Sequence, residues 1–211
     1  MEIVSWFVDL ILHLDDHLVE LLTDYGFWVY LILFLIVFAE TGFVVTPFLP
    51  GDSLLFAAGA LAAVDTSNTL SPLWLSVSLA AAAILGNTTN YHIGRWIGPP
   101  AFTGKIRFLK VEYLKRTEAF FERHGSMTIV LSRFAPIVRT CAPFVAGVGR
   151  MPYARFQTFN VIGGVCWVLL FTWAGYFIGN IPFIKDNFGL VTIGIVVVSL
   201  IPVAWVALKK E

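Results

Sequence analysis

Charged side chains are scarce in this sequence of 211 residues, where they make up only 13% of the chain. Soluble domains carry about 25% charged residues, and 58% of this chain is hydrophobic. The formal net charge is zero, which removes any general electrostatic argument for nucleic acid binding. The composition therefore predicts an integral membrane protein with one membrane domain and no sizeable soluble domain.

Cysteine is equally rare, and the common catalytic motifs are missing from the sequence. Cys141 and Cys166 lack CxxC or metal-ligand spacing. The sequence contains no Walker loop, no GxGxxG and no Ser/His/Asp arrangement. The N-terminus has neither a basic n-region nor a small-residue cleavage site, so we expect no cleaved signal peptide. We also expect no enzyme activity, no cofactor and no bound metal.

Apolar runs divide the first half of the chain into helical segments. Residues 1–24 predict an amphipathic helix that lies in the membrane interface, and residues 25–98 predict a first repeat unit. Residues 47–63 are broken by prolines and a glycine and are too short to cross about 30 Å of hydrocarbon. They predict a re-entrant hairpin whose freed backbone groups face protein or water. Spans over 25–45 and 73–97 flank this hairpin.

The second half begins with the densest basic stretch of the sequence, residues 99–126. By the positive-inside rule this amphipathic stretch is cytoplasmic, and we expect an interfacial helix whose Val111, Leu114 and Phe121 face lipid. A second repeat unit follows over 128–180.

Residues 128–149 are again apolar but interrupted by Pro136 and Pro143, which predicts a second re-entrant hairpin before a span over 156–180. A C-terminal span over 188–208 ends in lysines, which favours cytoplasmic N- and C-termini.

Short matching segments indicate that the two units are repeats. Residues 48–50 (FLP) resemble residues 134–136 (FAP), and residues 91–94 (YHIG) resemble residues 176–179 (YFIG) at nearly equal spacing. A hairpin returns to its own side of the membrane and a single helix crosses once, so the second unit would be inverted relative to the first. The predicted fold is an all-α polytopic helix bundle with two opposed re-entrant hairpins in an inverted repeat.

Charged residues are placed in both interrupted segments. Glu40 and Asp52 belong to the first, and Arg133 and Arg139 to the second. If the hairpin tips meet, two acids face two arginines in one low-dielectric pocket. Arginine forks suit phosphate oxygens, and desolvated acids can carry a proton near neutral pH. The pattern predicts a proton-linked carrier of an anionic headgroup; the alternative is that the four charges form structural salt bridges alone.

Polar residues and helix breakers surround these four positions. Asn87, Asn90, Tyr91 and Arg95 lie on or near one face of the second span, although Arg95 could equally extend to the interface. Asn160 is a single amide in a glycine-rich segment typical of close helix packing. The predicted supporting residues are Pro47, Pro50, Gly51, Ser53, Asn90, Tyr91, Arg95, Pro136, Thr140, Pro143 and Asn160.

These segments resemble a known family. PFLPGDS (47–53) after Glu40, NYHIGR (90–95) and RFAPIVRTCAPFVAG (133–147) resemble the DedA family of bacterial inner-membrane proteins, and FNVIGGVCW (159–167) and AGYFIG (174–179) extend the match. The family is related to eukaryotic scramblases that carry the SNARE-associated or VTT domain. VVTPFLPGDSLLF and VRTCAPFVAG in particular resemble its founding member.

The resemblance implies a multi-pass protein that redistributes polar lipids, notably undecaprenyl phosphate and phosphatidylethanolamine, in dependence on the proton motive force. The resemblance also implies that the family's functional acids correspond to Glu40 and Asp52 of this chain, and its functional arginines to Arg133 and Arg139. The implied partners are a membrane phospholipid or polyprenyl phosphate and protons, with a homo-oligomer left open and no nucleic acid. Many relatives have an acid where this chain has Asn87, which puts proton coupling in doubt.

Other transport and non-transport readings fit the same residues. In a proton-coupled antiporter for small cations or osmolytes, the acids act and the arginines are structural. A passive lipid scramblase or a membrane scaffold would need none of the acids to titrate.

Overall fold

The computed structural model of the chain describes residues 14–43, 51–65, 69–98, 100 and 111–181. Within these ranges the structure is helical and contains no β-strand, which confirms the all-α prediction there. The turn prolines Pro47 and Pro50 and the predicted C-terminal span over 188–208 lie outside the described residues.

The helices are numbered here in chain order. They are α1 (Leu14–Gly42), α2 (Gly51–Val64), α3 (Pro72–Ile97), α4 (Val111–His124), α5 (Thr128–Leu131), α6 (Pro136–Val148) and α7 (Tyr153–Gly179), with 3₁₀ turns at Gly125–Met127 and Ser132–Phe134. The described residues form two compact units. The first contains 14–32, 51–65, 69–77 and 169–181, and the second contains 33–43, 78–98, 100 and 111–168.

Helix α1 passes without a break through residue 24, the predicted boundary between the interfacial helix and the first repeat unit. Gly26, just beyond that boundary, is a packing residue: a methyl group on it would collide with the side chain of Thr69. One turn later, the Tyr30 hydroxyl donates to the Thr69 carbonyl at 3.2 Å and accepts from the Ser71 amide at 2.8 Å. That the N-terminal residues lie in the membrane interface stays a prediction.

The predicted interruption around Pro136 is present as a break between α5 and α6. After the Ser132–Phe134 turn, Ala135 is extended, with φ −117° and ψ 104°. Pro136 then occupies the first turn of α6, where its missing amide hydrogen would have had no helical acceptor. Pro143 lies inside α6 and is buried. Whether this segment re-enters the membrane from one side stays a prediction.

In the first compact unit, α2 and the end of α7 touch backbone to backbone. A methyl group on Gly59 would collide with the Thr172 carbonyl and crowd the Tyr176 amide, and one on Gly175 would collide with the Phe56 carbonyl. Small residues at such a crossing allow two helices to approach closely, as in membrane helix pairs.

In the second compact unit, α3 and α6 cross in the same register. A methyl group on Gly147 would collide with the Tyr91 carbonyl and crowd the Arg95 amide, and one on Gly94 would collide with the Phe144 carbonyl. The contacts follow the same spacing in both units. The glycine of the short helix contacts two residues four positions apart on the long helix, and the glycine of the long helix contacts the residue three positions before the short helix's glycine.

In this packing Gly94 has the contacts that Gly175 has in the first unit, whereas the matching sequence segments pair Gly94 with Gly179. That the two units are repeats stays a prediction. Each crossing joins the short helix of one predicted repeat to the long helix of the other. The inversion of one repeat relative to the other stays a prediction.

Helix α4 packs its apolar face on α6. Leu114 is fully buried in a cluster with Phe144, Val145 and Val148, and Phe121 is partly buried against the same cluster. The expectation that Leu114 faces lipid is therefore wrong, because α6 supplies the apolar surface that covers it. The side chain of Val111 lies outside what the structure describes.

Helices α3 and α7, of 26 and 27 residues, are long and apolar enough to cross a membrane by length and composition. The apolar part of α1, Trp28–Gly42, is shorter. On α7 the exposed apolar side chains recur at helical spacing; they include Ile162, Val165, Leu169 and Leu170. Monomeric soluble proteins rarely expose such contiguous apolar patches, so this surface is typical of contact with lipid.

The glycine crossing in the second unit predicts sensitivity to a single methyl group. Gly94→Ala and Gly147→Ala each push a methyl group against backbone of the facing helix, which can yield only if the helices separate. We expect each substitution to lower the free energy of unfolding by about 1–3 kcal/mol. Thermal unfolding in detergent micelles measures this as a fall in Tm of several degrees. Gly42→Ala is the control, because its methyl group makes an ordinary contact 3.5 Å from Gly86; equal Tm values for all three variants would contradict the close crossing.

Candidate functional site

Glu40 and Arg139 form a buried ion pair in the second compact unit. Glu40 is in the last turn of α1 and Arg139 in the first turn of α6. Arg139 Nη2 donates to Glu40 Oε1 at 2.7 Å, and the two residues are only 7% and 1% exposed. Removing two charges from water costs several kcal/mol for each ion, so such a pair persists only with good geometry and further polar contacts. The structure thus brings together one predicted acid and one predicted arginine.

Arg133 lies in the 3₁₀ turn before α6 and is 1% exposed. Its Nη2 donates to Asn160 Oδ1 at 2.9 Å and approaches the Asn160 carbonyl at 3.4 Å. Gly163 and Gly164 of α7 make room for the guanidinium, since methyl groups there would lie 3.2 Å from Nε and 3.1 Å from Nη2. Within the described residues, Nε and Nη1 of Arg133 have no hydrogen-bond partner.

Trp167 of α7 joins the two arginines. The Cζ atoms of Arg133 and Arg139 lie 5.7 and 5.3 Å from the centroid of its ring, within the range of a cation–π contact, and Trp167 is fully buried. The sequence analysis did not select this residue. A signal was present, because residues 160, 163, 164 and 167 share one face of a helix.

Asn160 holds Arg133 in place through its amide oxygen. That oxygen accepts from Arg133 Nη2 and also from Asn87 Nδ2 at 3.0 Å. The Asn160 Nδ2 donates to the Ile84 carbonyl at 3.0 Å and approaches the Thr88 hydroxyl at 3.3 Å. The amide that the sequence predicted as buried is therefore the residue that orients a buried arginine, and Asn87 belongs to the same network.

Asn90 connects the chain segments that carry the ion pair. Its Nδ2 donates to the Thr140 carbonyl at 2.8 Å and to the Thr41 carbonyl at 3.2 Å. Thr140 follows Arg139 and Thr41 follows Glu40, so this one amide ties together the backbones on both sides of the pair. Asn90 and Thr140, two of the predicted supporting residues, thus lie beside the ion pair.

Tyr91 and Arg95 belong to a neighbouring cluster at the end of α3. The buried Tyr91 hydroxyl donates to the Met151 carbonyl and accepts from Arg95 Nη1 at 3.2 Å, while its ring stacks on Phe156 at 4.4 Å. Arg95 itself is exposed. These contacts fasten the turn after α6 to α3, so the structure gives both residues a packing role outside the arginine pair.

The remaining predicted residues lie at the start of α2, in the first compact unit. Gly51 is buried, and Asp52 and Ser53 are half-buried in the first turn of the helix. The meeting of Asp52 with the arginines stays a prediction.

The buried charges of the described residues do not balance. They comprise Glu40, Arg133 and Arg139, which leaves one positive charge in excess. A low-dielectric site with excess positive charge, in which Nε and Nη1 of Arg133 have no hydrogen-bond partner among the described residues, suits an anion with several oxygens, such as a phosphate group. The described residues contain no group of three or more His, Cys, Asp or Glu side chains that could hold a metal ion.

Comparison with known proteins identifies the family of the chain. The sequence pattern of the VTT domain matches residues 49–177, a range that includes Asp52, Arg133 and Arg139. Protein DedA of Escherichia coli strain K12 is 54% identical over 203 residues, which cover 96% of this chain and 92% of DedA. The chain belongs to the DedA family of VTT-domain proteins.

Further relatives extend the similarity. Inner membrane protein YghB of Escherichia coli strain K12 is 35% identical over 205 residues, covering 93% of this chain and 89% of YghB. An uncharacterized membrane protein of Mycobacterium tuberculosis strain H37Rv is 46% identical over 175 residues, covering 81% of this chain and 74% of that protein. No solved structure matches the chain significantly. This DedA-family chain is accordingly an inner-membrane protein.

A double-mutant cycle measures the Glu40–Arg139 coupling. Replacing Arg139 by Met leaves the Glu40 carboxylate buried without this partner, and we expect a loss of about 3–5 kcal/mol in unfolding free energy. Glu40→Met should cost a similar amount, and the double variant less than the two losses together. Arg155→Met is the control, because Arg155 is exposed and should change stability by no more than about 0.5 kcal/mol. Additive losses would show that the two charges are not coupled.

Proposed function

We propose that this DedA-family chain is a proton-motive-force-dependent lipid carrier that moves a phosphate-containing polar lipid, undecaprenyl phosphate or phosphatidylethanolamine, across the inner membrane. One observation carries the proposal: two buried arginines flank Trp167 while the described residues supply only one buried acid, Glu40. Arginine remains protonated at physiological pH, and its planar fork matches phosphate oxygens.

Competition for Arg139 links the headgroup to the proton. With Glu40 ionised, the 2.7 Å ion pair occupies Arg139 Nη2. Protonation of Glu40 weakens that pair and releases the guanidinium for a phosphate oxygen. Loss of the proton restores the pair and favours release of the headgroup. Asp52 is the second proposed proton carrier, and Asn87, which cannot titrate, leaves the coupling to these two acids.

Arg133 supplies the second contact to the phosphate. Asn160 holds its Nη2, so the guanidinium is already oriented before the lipid binds. Nε and Nη1 remain as donors. The carrier forms no covalent bond with its lipid, whose acyl or isoprenyl tail stays in the membrane while the headgroup crosses.

The proposed carrier spans the membrane several times with cytoplasmic termini, and α7 provides a direct test of its orientation. Ala154 and Asn180 are exposed near the two ends of this helix. In a background with Cys141 and Cys166 replaced by Ser, we expect Ala154→Cys to react with an impermeant maleimide from the cytoplasmic side and Asn180→Cys from the periplasmic side. Labelling of both positions from one side would contradict a membrane crossing by α7.

The transport proposal is tested in liposomes that contain the purified protein. Flipping of labelled phosphatidylethanolamine and of an undecaprenyl phosphate analogue is measured with and without a proton gradient. We expect flipping to rise with the gradient, and Glu40→Gln to abolish the dependence because the amide cannot release a proton. Glu122→Gln, which changes an exposed acid of α4, is the matched control and should behave as the wild type.

The arginines are tested by substitutions that keep the charge and remove the fork. Arg133→Lys and Arg139→Lys should lower the flipping rate roughly tenfold or more, since each loses charge-assisted hydrogen bonds to phosphate. Arg155→Lys is the matched control at an exposed position. Full activity of both buried-site variants would exclude the headgroup site. Gradient-independent flipping that survives Glu40→Gln would indicate a passive scramblase, and no flipping of either lipid would leave an antiporter or a scaffold.

A further inference from the structure

The orientation of the Asn160 amide determines that of Asn87. Asn160 Nδ2 donates to the Ile84 carbonyl, an acceptor only, so Asn160 Oδ1 must be the atom that faces Arg133 and Asn87. An oxygen there requires a donor, and Asn87 therefore presents its Nδ2 to Asn160 at 3.0 Å. The Oδ1 of Asn87 is consequently the atom of the amide that does not contact Asn160.

Asn90 is oriented by the same reasoning. Its Nδ2 donates to two main-chain carbonyls, those of Thr140 and Thr41. Since neither carbonyl can donate, the amide cannot be reversed, and its Oδ1 is the free end. Asn87 and Asn90 lie three residues apart on α3, which places them on one face of that helix.

Both amide oxygens are buried acceptors. Asn87 is 3% exposed and Asn90 is fully buried, and in the part of the chain that the structure describes neither Oδ1 has a hydrogen-bond partner. A buried polar group without a partner is unfavourable, because it has lost its hydrogen bonds to water and gained none in the protein. Two on successive turns of one helix indicate a site built to accept hydrogen bonds.

These acceptors adjoin the proposed phosphate site. Asn87 Nδ2 and Arg133 Nη2 bind the same atom, Asn160 Oδ1, at 3.0 and 2.9 Å. Asn90 binds the carbonyl of the residue that follows Arg139. Donors without partners on Arg133 and an acceptor without a partner on Asn87 thus belong to side chains that share one Asn160 oxygen, while Asn90 is linked through the main chain to the neighbour of Arg139.

We infer that the site selects a headgroup that carries a hydrogen-bond donor beside its phosphate, and that the amide oxygens of Asn87 and Asn90 accept from this donor. The inference rests on the proposed function and adds a specificity rule to it. Two kinds of lipid have the required chemistry: a phosphate monoester, through its P–OH group, and a phosphodiester with a primary ammonium. A phosphodiester lipid whose headgroup has no N–H or O–H group, such as one with a trimethylammonium group, lacks this donor.

Matched short-chain probes test the rule on the wild-type protein. Dihexanoyl phosphatidylethanolamine and dihexanoyl phosphatidylcholine share phosphate, charge and tails but differ in N–H donors. Octyl phosphate and its monomethyl ester, compared at a pH of about 5 where both carry one negative charge, differ in the P–OH donor. Titration calorimetry on the purified protein in detergent should give Kd values about tenfold to a hundredfold lower for the donor-bearing member of at least one pair. The pair that shows the difference identifies which lipid chemistry the site takes.

Variants at position 87 separate hydrogen bonding from headgroup size. Asn87→Leu removes the acceptor and should reduce the difference within the pair to less than about threefold. Asn87→Gln keeps both the donor to Asn160 and the amide oxygen, and should retain the preference. Asn180→Leu, at an exposed asparagine whose Nδ2 bonds within its own helix, is the matched control and should keep the wild-type ratio. If Asn87→Leu does not fold, the smaller Asn87→Ala replaces it, because it also removes the acceptor and should likewise reduce the difference within the pair.

The outcomes distinguish this inference from the proposed function. Equal binding within both pairs, as expected if water molecules satisfy the two amide oxygens, overturns the specificity rule and leaves the phosphate site intact. A preference that persists unchanged in folded Asn87→Leu is steric and also overturns the rule. Failure of all four probes to bind overturns the phosphate site itself, and the specificity rule with it.

Discussion

The structure of the second unit depends on keeping three charges out of contact with lipid. Glu40, Arg133 and Arg139 are all nearly inaccessible, and each would be costly in isolation. Four helices, α1, α3, α6 and α7, supply the contacts that keep these charges buried. Helix α1 brings the acid and α6 the paired arginine, α7 supplies Trp167 and the amide of Asn160, and α3 ties the segments together through its asparagines.

Helix contacts and site chemistry use the same short segments. The glycines of α3 and α6 bring the backbones together one turn away from the asparagines that face the site. On α7, Gly163 and Gly164 have a second use, because they leave space for the Arg133 guanidinium. Close approach of the helices is therefore a condition for the polar contacts, whose reach is about 3 Å. The same crossing occurs in the first unit between α2 and α7, where no described residue carries a buried charge.

Much of the site could be predicted because its components violate local expectations. Charges, prolines and a lone amide in apolar segments are conspicuous, and Glu40, Arg133, Arg139 and Asn160 were selected on that ground. Trp167 and Asn87 were not counted among the site residues, because an aromatic residue or an amide is unremarkable in a long apolar helix. Leu114 was misplaced since amphipathic periodicity shows that one face is apolar but does not show whether lipid or protein covers it.

The sequence by itself determined the helical class, the break before Pro136, the family and the identity of the charged residues. All of these follow from composition and local order, which need no knowledge of distant contacts. Only the tertiary structure decided which charge meets which. Glu40 and Arg139 are 99 positions apart, and the choice of Asn160 rather than an acid as the partner of Arg133 depends on which faces of α7 and the α5–α6 turn oppose each other. Residues far apart in a chain become neighbours through packing, and packing is a property of surfaces that a linear pattern does not contain.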